Sequence, residues 1–404
     1  MPQFRPIQIS DNVFWVGAID WELANFHGYA TERGSTYNAY LVLADKITLI
    51  DTVKKPFVRE MMGRINSVVH PSRIDYIVSN HSEMDHTGAL PEVLDIIQPE
   101  RIFASGKGVE TINAHFHNDM EIQSVKDGDT LDLGNMNLSF LDAKMVHWPD
   151  SMFTYLDRDR ILFTNDAFGM HLATAERFDD EIDDWILHHE AKTYFANILW
   201  PFAPSVGKVL EKVGKFENPI DIIAPDHGPV WRTKVKWILD LYHEWVEHKT
   251  ANKAVVVYDT MWQSTALMAR AIGEGLLSGG MEIKLMPLSR CTRSSIAKEA
   301  LDAKMLVIGS PNLNSNLFPT IADILTYLQG LKPRKHKIYG ASFGSYGWSP
   351  AAAKKVEKML EEMNVEIVAD PLQIKYVPDD TALSKCFEYG SEIAVKALGI
   401  NIDG

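Results

Sequence analysis

The stretch "SNHSEMDH", residues 79–86, places two histidines and two acidic residues within six positions, at the end of the mainly apolar segment "RIDYIVSN". These residues are His81, Glu83, Asp85 and His86. Imidazole and carboxylate groups are common metal ligands, but a polar loop that faces water has the same composition. The choice between these interpretations depends on whether distant parts of the chain supply matching ligands.

Three further residues of ligand type each follow a predicted strand. His147 stands in "KMVHWPDS", Asp166 in "ILFTNDAF" and His227 in "PIDIIAPDHGP". Because the carboxyl ends of parallel strands meet at one edge of a sheet, we predict that these three residues lie beside the first four. Four such strand ends in one domain favour a shared site over four unrelated polar loops.

The seven residues together offer four imidazoles and three carboxylates. This is too many ligands for one tetrahedral zinc ion, and it suits two metal ions that share a carboxylate. The ligand types fit iron, manganese or zinc. So anionic a ligand set lowers the Lewis acidity of zinc, and it favours an iron pair that also reaches the trivalent state.

The composition limits the class of protein. The 404 residues suggest two or three domains, and the net charge of −14 argues against nucleic acids and anionic membrane surfaces as partners. The two cysteines, Cys291 and Cys386, form no CxxC pair, which argues against a disulfide scaffold or a cysteine-ligated metal within this chain. With no signal-peptide pattern and no run of about 18 apolar residues, we expect a soluble cytoplasmic protein.

The pattern of predicted elements changes near residue 250. Residues 1–250 contain many short strands, several in hairpin-like pairs, with helical stretches between them. This predicts an αββα sandwich of two sheets with helices outside. Residues 251–404 contain five apolar strands that alternate with helices, which predicts a doubly wound parallel sheet.

The first loop of the second domain has the chemistry of an anion site. In "VVVYDTMWQSTALMARAIGEGL" a strand leads through a loop into a helix, and the loop carries Thr260, Ser264 and Thr265. Hydroxyl groups and free N–H groups at a helix N-terminus bind phosphate. The absence of G-x-G-x-x-G and G-K-[ST] disfavours a dinucleotide and a triphosphate, so a monophosphate such as that of FMN fits best. The alternative is a helix cap rich in serine and threonine.

Two further segments, "GSPNLNSNLFP" and "GASFGSYGWSP", are predicted as loops at the carboxyl ends of the third and fourth strands, where ligands bind in open α/β sheets. Their small residues let the backbone approach a flat ring, and Trp262, Tyr346 and Trp348 could stack on it. The layout resembles flavodoxin. The residues predicted to bind FMN are Thr260, Met261, Trp262, Gln263, Ser264, Thr265, Ser310, Pro311, Asn312, Leu313, Asn314, Ser342, Phe343, Gly344, Ser345, Tyr346, Gly347 and Trp348.

The string H-S-E-M-D-H and its three distant partners resemble the metallo-β-lactamase fold, whose hydrolases carry H-x-H-x-D-H. Glu83 stands where those hydrolases have their second histidine, and this change is typical of flavodiiron proteins. "HWPDSMFTY" and "GAIDW" are similar to the same family, and the resemblance covers both domains. It implies one iron bound by His81, Glu83 and His147, a second bound by Asp85, His86 and His227, and Asp166 as the bridge. Asn312 departs from the family, in which threonine is common.

The resemblance implies reduction of dioxygen to water, of nitric oxide to nitrous oxide, or of both. A reduced flavin and a diferrous pair hold two electrons each, and their sum is the four electrons that dioxygen needs. His27, His171 and Tyr194 could line the substrate pocket and donate protons. The alternatives are a zinc hydrolase fused to a flavin domain and, less favoured, an electron carrier with a structural metal.

The chain ends at "GINIDG" without the CxxC pairs of a rubredoxin domain. We therefore expect a separate electron donor, with rubredoxin as the first choice and a reduced deazaflavin as the second. The family arrangement implies a homodimer packed head to tail, or a tetramer of such dimers. Transfer between chains would then bring each flavin to its partner's irons.

Overall fold

The computed structural model describes residues 4–117, 119–331 and 337–399. These residues form two compact units. The first consists of the described residues up to Tyr194 together with Phe202–Val246, and the second of Phe195–Pro201 together with the described residues from Glu247 onward. The sequence prediction had placed Phe195–Pro201 in the first domain. None of the helices in the described ranges is both long enough and apolar enough to cross a membrane.

The first unit is rich in short strands. Its strands are β1 (Ile7–Gln8), β2 (Val13–Trp15), β3 (Ala18–Asp20), β4 (Asn25–Phe26), β5 (Tyr29–Ala30), β6 (Ser35–Tyr37), β7 (Tyr40–Val42), β8 (Thr48–Ile50), β9 (Tyr76–Ser79), β10 (Arg101–Ser105), β11 (Ile122–Val125), β12 (Thr130–Asp132), β13 (Asn137–Asp142), β14 (Met152–Leu156), β15 (Ile161–Phe163) and β16 (Ile222–Ala224). Its helices are α1 (Val58–Val68), α2 (Met84–Thr87), α3 (Leu90–Ile97), α4 (Gly106–Phe116), α5 (Asp184–Tyr194), α6 (Ala203–Gly214) and α7 (Val235–Val246).

Two sheets make up most of this unit. One has the strand order β1-β2-β7-β8-β9-β10-β11 and the other β12-β13-β14-β15-β16. Hairpins pair β7 with β8 and β13 with β14 in antiparallel register. The strands that lead to the site pair in parallel, β8 with β9 and β15 with β16. Their carboxyl ends therefore leave each sheet at one edge.

The core lies between the two sheets, and helices cover their outer faces. One buried apolar cluster joins both sheets and includes Phe103 and Phe163. Another packs the outer face of the first sheet against α1 and α3. Outside the second sheet, the ring of Phe168 lies 4.6 Å from that of Tyr242 on α7 and 6.4 Å from that of Phe153 on β14. The αββα prediction is confirmed.

The second unit alternates strands and helices. Its elements are β17 (Ala251–Tyr258), α8 (Ser264–Ser278), β18 (Glu282–Pro287), α9 (Arg293–Ala300), β19 (Ala303–Gly309), α10 (Pro319–Leu331), β20 (Tyr339–Tyr346), α11 (Ala352–Glu362), β21 (Glu366–Ile367), β22 (Leu372–Lys375) and α12 (Asp380–Leu398). The sheet order is β18-β17-β19-β20-β21, with β22 also paired to β20, and these pairings are parallel. This is the 2-1-3-4-5 order of a doubly wound sheet, as predicted.

Helices α8 and α12 cross at unusually short range because glycines face each other's backbone. A Cβ atom on Gly275 would lie 2.0 Å from the carbonyl oxygen of Phe387, and one on Gly390 would lie 2.2 Å from that of Ile272. No side chain fits at either position without moving a helix. The position of α8 on the sheet therefore depends on its packing against α12.

The structure shortens one predicted loop. The sequence predicts a fourth strand that ends at Gly344 and a loop that overlaps it from Gly340, whereas β20 runs to Tyr346 and only the residues from Gly347 onward form the loop. Phe343 is fully buried in the apolar core of the unit, where its ring covers Gly309 of β19. Small residues such as Ser342 and Gly344 give a weak strand signal. Pairing with β19 and β22 on either side nevertheless makes this segment a strand.

Candidate metal centre and cofactor pocket

Four strand ends bring the candidate ligands together. The segment from His81 to His86 follows β9 and enters the short helix α2. His147 comes five positions after β13 ends, while Asp166 and His227 each come three positions after the neighbouring parallel strands β15 and β16 end. All seven residues are buried or nearly so, with at most 9% of their surface exposed.

Asp166 lies at the centre of the cluster, with one carboxylate oxygen toward each half. Its Oδ2 is 2.9 Å from Nε2 of His147 and 3.3 Å from Nε2 of His81. Its Oδ1 is 3.2 Å from Nε2 of His86 and 3.3 Å from Nε2 of His227. All four imidazoles thus present the same ring nitrogen to one carboxylate.

The other two carboxylates divide the histidines in the same way. Oε2 of Glu83 lies 3.3 Å from His81 and 3.2 Å from His147. Asp85 places Oδ1 3.4 Å from Nε2 of His86 and Oδ2 3.2 Å from Nε2 of His227. Two groups result, in each of which the ligand atoms lie within 4.8 Å of one another: His81, Glu83, His147 and Asp166 in one, and Asp85, His86 and His227 in the other.

Several polar atoms at the centre of the cluster have no hydrogen bond. Within the described part of the chain, both carboxylate oxygens of Asp85, Nε2 of His86 and Oδ1 of Asp166 are buried without a hydrogen-bond partner. Buried polar atoms are normally paired. Unpaired oxygen and imidazole nitrogen atoms that converge on two points fit a pair of metal cations. The seven candidate ligands include no thiolate.

The charges of the cluster perturb one another strongly. Burial opposes ionisation of Asp166, yet the charge of His86 and the hydrogen bond from His147 hold its pKa well below the usual value. Burial likewise opposes protonation of His227, but its bonds to Asp166 and Asp85 raise its pKa well above 6.5. The carboxylates are therefore ionised, and they attract positive charge to the space between them.

A second layer of residues orients the imidazoles from behind. Nδ1 of His81 is hydrogen-bonded to Oδ2 of Asp150 at 3.1 Å, and such a carboxylate–histidine pair fixes the ring that faces a metal. Oδ2 of Asp226 lies 3.4 Å from Nδ1 of His86 without forming a hydrogen bond to it. Both acids escaped sequence prediction although they stand inside the quoted stretches "HWPDS" and "APDHGP". An acidic residue next to a candidate ligand in the sequence has no spacing pattern that would reveal its role.

Asp226 and Asp51 are two buried acids beneath the cluster. Both carboxylate oxygens of Asp226 are buried and unpaired among the described residues, and burial followed by the charge of Asp51 raises its pKa well above 3.8. Asp51 accepts bonds from the backbone N–H and the side-chain amide of Asn80, at 2.7 and 2.8 Å. Burial nevertheless raises its pKa to about 6.

The second unit contains a cavity of about 380 Å³ at the carboxyl ends of its strands. Its walls are Met261, Trp262, Ser264, Pro311, Asn312, Leu313, Asn314, Ser345, Tyr346, Gly347, Trp348 and Tyr376. Tyr376 was not predicted, because it follows β22, far along the chain from the quoted loops. Of the other predicted residues, Thr260, Gln263, Thr265, Ser310, Ser342, Phe343 and Gly344 do not line this cavity.

The start of α8, next to this cavity, fits a phosphate group. Gln263 precedes the helix with a left-handed backbone (φ 67°), and its side chain does not cap the helix N–H groups. Thr260 has a buried hydroxyl without a partner in the described ranges. The hydroxyl of Thr265 is 2.9 Å from that of Ser345. These features favour an anion site over the helix-cap alternative, because Ser264 and Thr265 lie inside the helix.

Comparisons with known proteins agree with both sites. Residues 36–228 match the model of the ODP family beta lactamase, and residues 256–390 match that of flavodoxin. The chain is 41% identical to a nitric oxide reductase of Moorella thermoacetica over 97% of this chain and 99% of the relative. The chain belongs to the flavodiiron protein family. The zinc-hydrolase alternative is not supported, and this flavodiiron protein is an oxidoreductase.

Solved structures agree with this assignment. The rubredoxin oxygen:oxidoreductase of Desulfovibrio gigas superimposes with a TM-score of 0.95 at 38% identity, covering 98% of this chain and 99% of that one. The flavodiiron protein of Giardia intestinalis gives a TM-score of 0.93 at 30% identity, covering 99% and 98%. The predicted order of a metallo-β-lactamase-like unit and a flavodoxin-like unit is confirmed.

Around the metal-ligand cluster of this flavodiiron protein lie the three residues predicted for the substrate pocket. His27 pairs through Nε2 with Oε1 of Glu83. The ring of His171 is 4.8 Å from that of His227, and the ring of Tyr194 is 5.0 Å from that of His171. The structure thus brings all three to the cluster, while their roles stay predictions.

Asn312 lines the cavity, as predicted, and it also caps a helix. Its Oδ1 accepts hydrogen bonds from the backbone N–H groups of Ala351 and Ala352, at 3.2 and 3.1 Å, and so caps α11. Its own backbone N–H donates to the carbonyl of Ser345 at 2.9 Å. Asn312 therefore ties two walls of the flavodoxin-like cavity together, which leaves only its NH₂ group to face a ligand.

Proposed function

We propose that this protein reduces dioxygen to water, nitric oxide to nitrous oxide, or both, with electrons passing from an external donor through FMN to a non-haem di-iron centre. The main support is the position of Asp166 between two groups of imidazole and carboxylate ligands. A flavodoxin-type cavity in the same chain supplies the second redox site. Relatives named for each of the two reactions are similar over nearly the whole chain.

The residues divide between the two irons as the family resemblance implies. His81, Glu83 and His147 would hold the first, Asp85, His86 and His227 would hold the second, and Asp166 would be shared between them, in keeping with the two groups of ligand-type atoms. The cavity of the second unit would hold FMN, and the start of α8 would bind its phosphate. When bound, FMN and the iron pair together supply the four electrons that dioxygen needs, or the two that a pair of nitric oxide molecules needs.

Residues of the chain control protons and water around the metal ligands. His27 holds Glu83 from the more open side, with 35% of its side chain exposed, so it can pass protons from solvent. His171 and Tyr194 are almost fully buried and help to close the pocket to bulk water. A closed pocket limits the escape of partly reduced oxygen species.

Metal and flavin analysis with gas uptake tests this proposal. Protein purified without oxygen should contain two irons and one FMN per chain, and with a reduced rubredoxin it should consume dioxygen or nitric oxide. Two zinc ions without gas consumption would revive the hydrolase interpretation. One metal ion without turnover would indicate an electron carrier.

The donor is a separate protein or cofactor, and rubredoxin is the first choice because the name of one similar structure contains it. Supplying reduced rubredoxin and a reduced deazaflavin in parallel separates the two candidates by rate. We place the reaction in the cytoplasm, where two distant thiols stay reduced.

We further propose a head-to-tail homodimer, or a tetramer of such dimers, in which each flavin serves the irons of its partner. A mixed dimer of a Thr265→Asp chain and an Asp166→Asn chain, with different tags, tests this. It retains one working pair of sites only if electrons cross between chains. Well-folded inactive parents together with an inactive mixed dimer would contradict the proposal.

A further inference from the structure

The loop that carries His227 is held by backbone and side-chain groups of residues 35–40. This loop, residues 225–228, leaves β16 and turns at Gly228, whose φ is 77°. The backbone N–H of Asn38 donates to the carbonyl of Asp226 at 2.7 Å. The loop therefore runs along the link between β6 and β7, and its path depends on that link.

Asn38 spans the loop with its side chain. Its NH₂ group donates to the carbonyl of Pro225 at 2.7 Å and to the carbonyl of Gly228 at 3.0 Å. Its Oδ1 accepts from the indole N–H of Trp15 at 2.8 Å. The residue is fully buried. The two N–H donors of its side chain bond to the first and the last residue of the loop 225–228.

Trp15 fixes which way the amide of Asn38 points. An indole N–H can only donate, so the atom opposite it must be the amide oxygen and the NH₂ group must face the loop. The guanidinium of Arg177 lies 4.4 Å from the centre of the Trp15 ring and holds it in place. Trp15 and Arg177 are each at most 1% exposed, so water does not compete for these bonds.

Thr36 completes the support by setting the ring of His227. The carbonyl of Thr36 accepts from Nδ1 of His227 at 2.5 Å, and its hydroxyl accepts from the backbone N–H of Gly228 at 2.7 Å. With Nδ1 bonded to this carbonyl, Nε2 is the ring nitrogen that faces Asp85 and Asp166, and it is the one that a metal would take in place of a proton. This orientation holds only while the loop stays at its present distance from Thr36.

We propose that Asn38 is a positioning residue that sets the metal affinity of one half of the centre, the half that contains His227. The proposal rests on the ligand assignment of the proposed function. Its consequence is selective, because the loop held by Asn38 carries only one of the seven ligands. The half built from His81, Glu83 and His147 stands on β9 and on the segment after β13, to which Asn38 makes no hydrogen bond among the described contacts.

The test uses two variants and one control in the full-length protein. Asn38→Leu keeps the approximate volume but removes all three side-chain bonds. Trp15→Phe keeps a ring but frees the amide to rotate. Tyr155→Phe is the matched control, because it also removes one bond from a tyrosine hydroxyl to a proline carbonyl, that of Pro219 at 2.8 Å, outside the loop of residues 225–228.

Each protein is stripped of metal by a chelator and titrated with Co²⁺, whose visible absorption follows binding step by step. His147→Asn and His227→Asn, each of which damages one half, assign the steps. We expect Asn38→Leu to weaken the half that contains His227 by about 10–100-fold, the usual range for a residue behind a ligand. Trp15→Phe should weaken the same half by a smaller factor, and Tyr155→Phe should change the metal affinity of neither half.

Thermal unfolding of the metal-free proteins and their FMN content separate positioning from general support. A positioning role predicts a changed ratio of the two affinities in Trp15→Phe, with FMN content unchanged. Equal weakening of both halves, or unchanged affinities in both variants, would overturn the proposal. If Asn38→Leu does not fold, the affinity ratio in Trp15→Phe decides. A wild-type protein that binds fewer than two ions would instead overturn the ligand assignment and this proposal with it.

Discussion

The seven candidate metal ligands are at most 9% exposed, whereas the flavin cavity has two tryptophans in its walls, Trp262 and Trp348, that are 85% and 89% exposed. The metal ligands come from four strand ends in two sheets and are side chains throughout. The cavity is formed by successive strand ends of one parallel sheet. The first site depends on side-chain charge at fixed distances, and the second on the shape of neighbouring loops.

This difference predicts unequal tolerance to substitution. At the metal centre, removal of one partner leaves another buried charge without compensation, which is costly. At the flavin cavity, several residues would contact the ligand and solvent reaches the walls. A single substitution there should therefore weaken ligand binding only partly. The four predictions below test this contrast from the largest expected effect to the smallest.

Asp166→Asn should have the largest effect. The amide removes a charge that faces all four imidazoles, so both metals should bind more than about 100-fold more weakly, beyond the range for residues behind the ligands. Gas reduction should be lost while FMN stays bound. Iron analysis and flavin absorbance measure the two outcomes. Asp221→Asn, which changes an exposed carboxylate paired with Arg160, is the control. Full iron content in Asp166→Asn would contradict the central position of this residue.

Thr265→Asp should release the flavin and leave the metals. A carboxylate at this fully buried position at the start of α8 repels phosphate, so the protein should be colourless with normal iron. Thr265→Val, which removes only the hydroxyl bonded to Ser345, should bind FMN more weakly and tests the site without a buried charge. Thr326→Asp on the exposed face of α10 is the control. Yellow Thr265→Asp protein would show that the anion site lies elsewhere.

The metal-free protein should lose stability as the pH rises from 6.5 to about 9. Burial opposes protonation of His86, but Asp85 and Asp166 raise its pKa to about 9. A raised folded-state pKa stabilises the fold below 6.5, and this stabilisation is lost as the pH passes about 9. The loss should be on the order of 3 kcal/mol.

Urea unfolding of chelated protein across this pH range measures the effect. The metal affinity should change in the opposite direction, because a metal displaces the same protons. His243→Asn, at an exposed histidine, should leave the slope unchanged. A metal-free protein whose stability is constant or rises with pH would show that the imidazoles are not held by the carboxylates.

Asn312→Ala should have the smallest effect. Loss of the cap on α11 should lower the free energy of unfolding of the flavin-free protein by about 1 kcal/mol, measured by thermal unfolding. Asn312→Asp keeps an acceptor for Ala351 and Ala352 and should retain the thermal stability of the flavin-free protein. Equal stability of the Ala and Asp variants would mean that the cap contributes nothing.

The residues of the buried cluster could be predicted from the sequence better than their surroundings could. His81 and its neighbours could be found because their residue types are rare at such spacing, and because each partner follows an apolar strand. Asp150 and Asp226 could not, since an acid beside a ligand becomes meaningful only when the fold turns it behind a ring. The same holds for Asn38, whose three side-chain bonds all reach distant parts of the chain.

The flavin unit shows where local patterns fail. The segment "GASFGSY" is rich in glycine and serine, and its last residues, Ser345 and Tyr346, are predicted only as loop, yet the whole segment belongs to β20 because strands pair on both sides of it. Tyr376 joins the cavity from a turn with a positive φ of 57° after β22, and no nearby motif marks it. The alternation of strands and helices was predictable, because buried parallel strands are nearly continuous apolar runs.

During synthesis, α8 leaves the ribosome long before α12, against which its glycine face packs. Gly275 and Gly390 are 115 positions apart (390 − 275). Until Gly390 has been synthesised, the glycine face of α8 has no helix to pack against. His227, the last metal ligand, precedes Gly390 by 163 positions (390 − 227). At translation rates of about 5–20 residues per second, that interval is roughly 10–30 s. The nascent chain therefore contains all seven candidate metal ligands well before α8 can pack against α12.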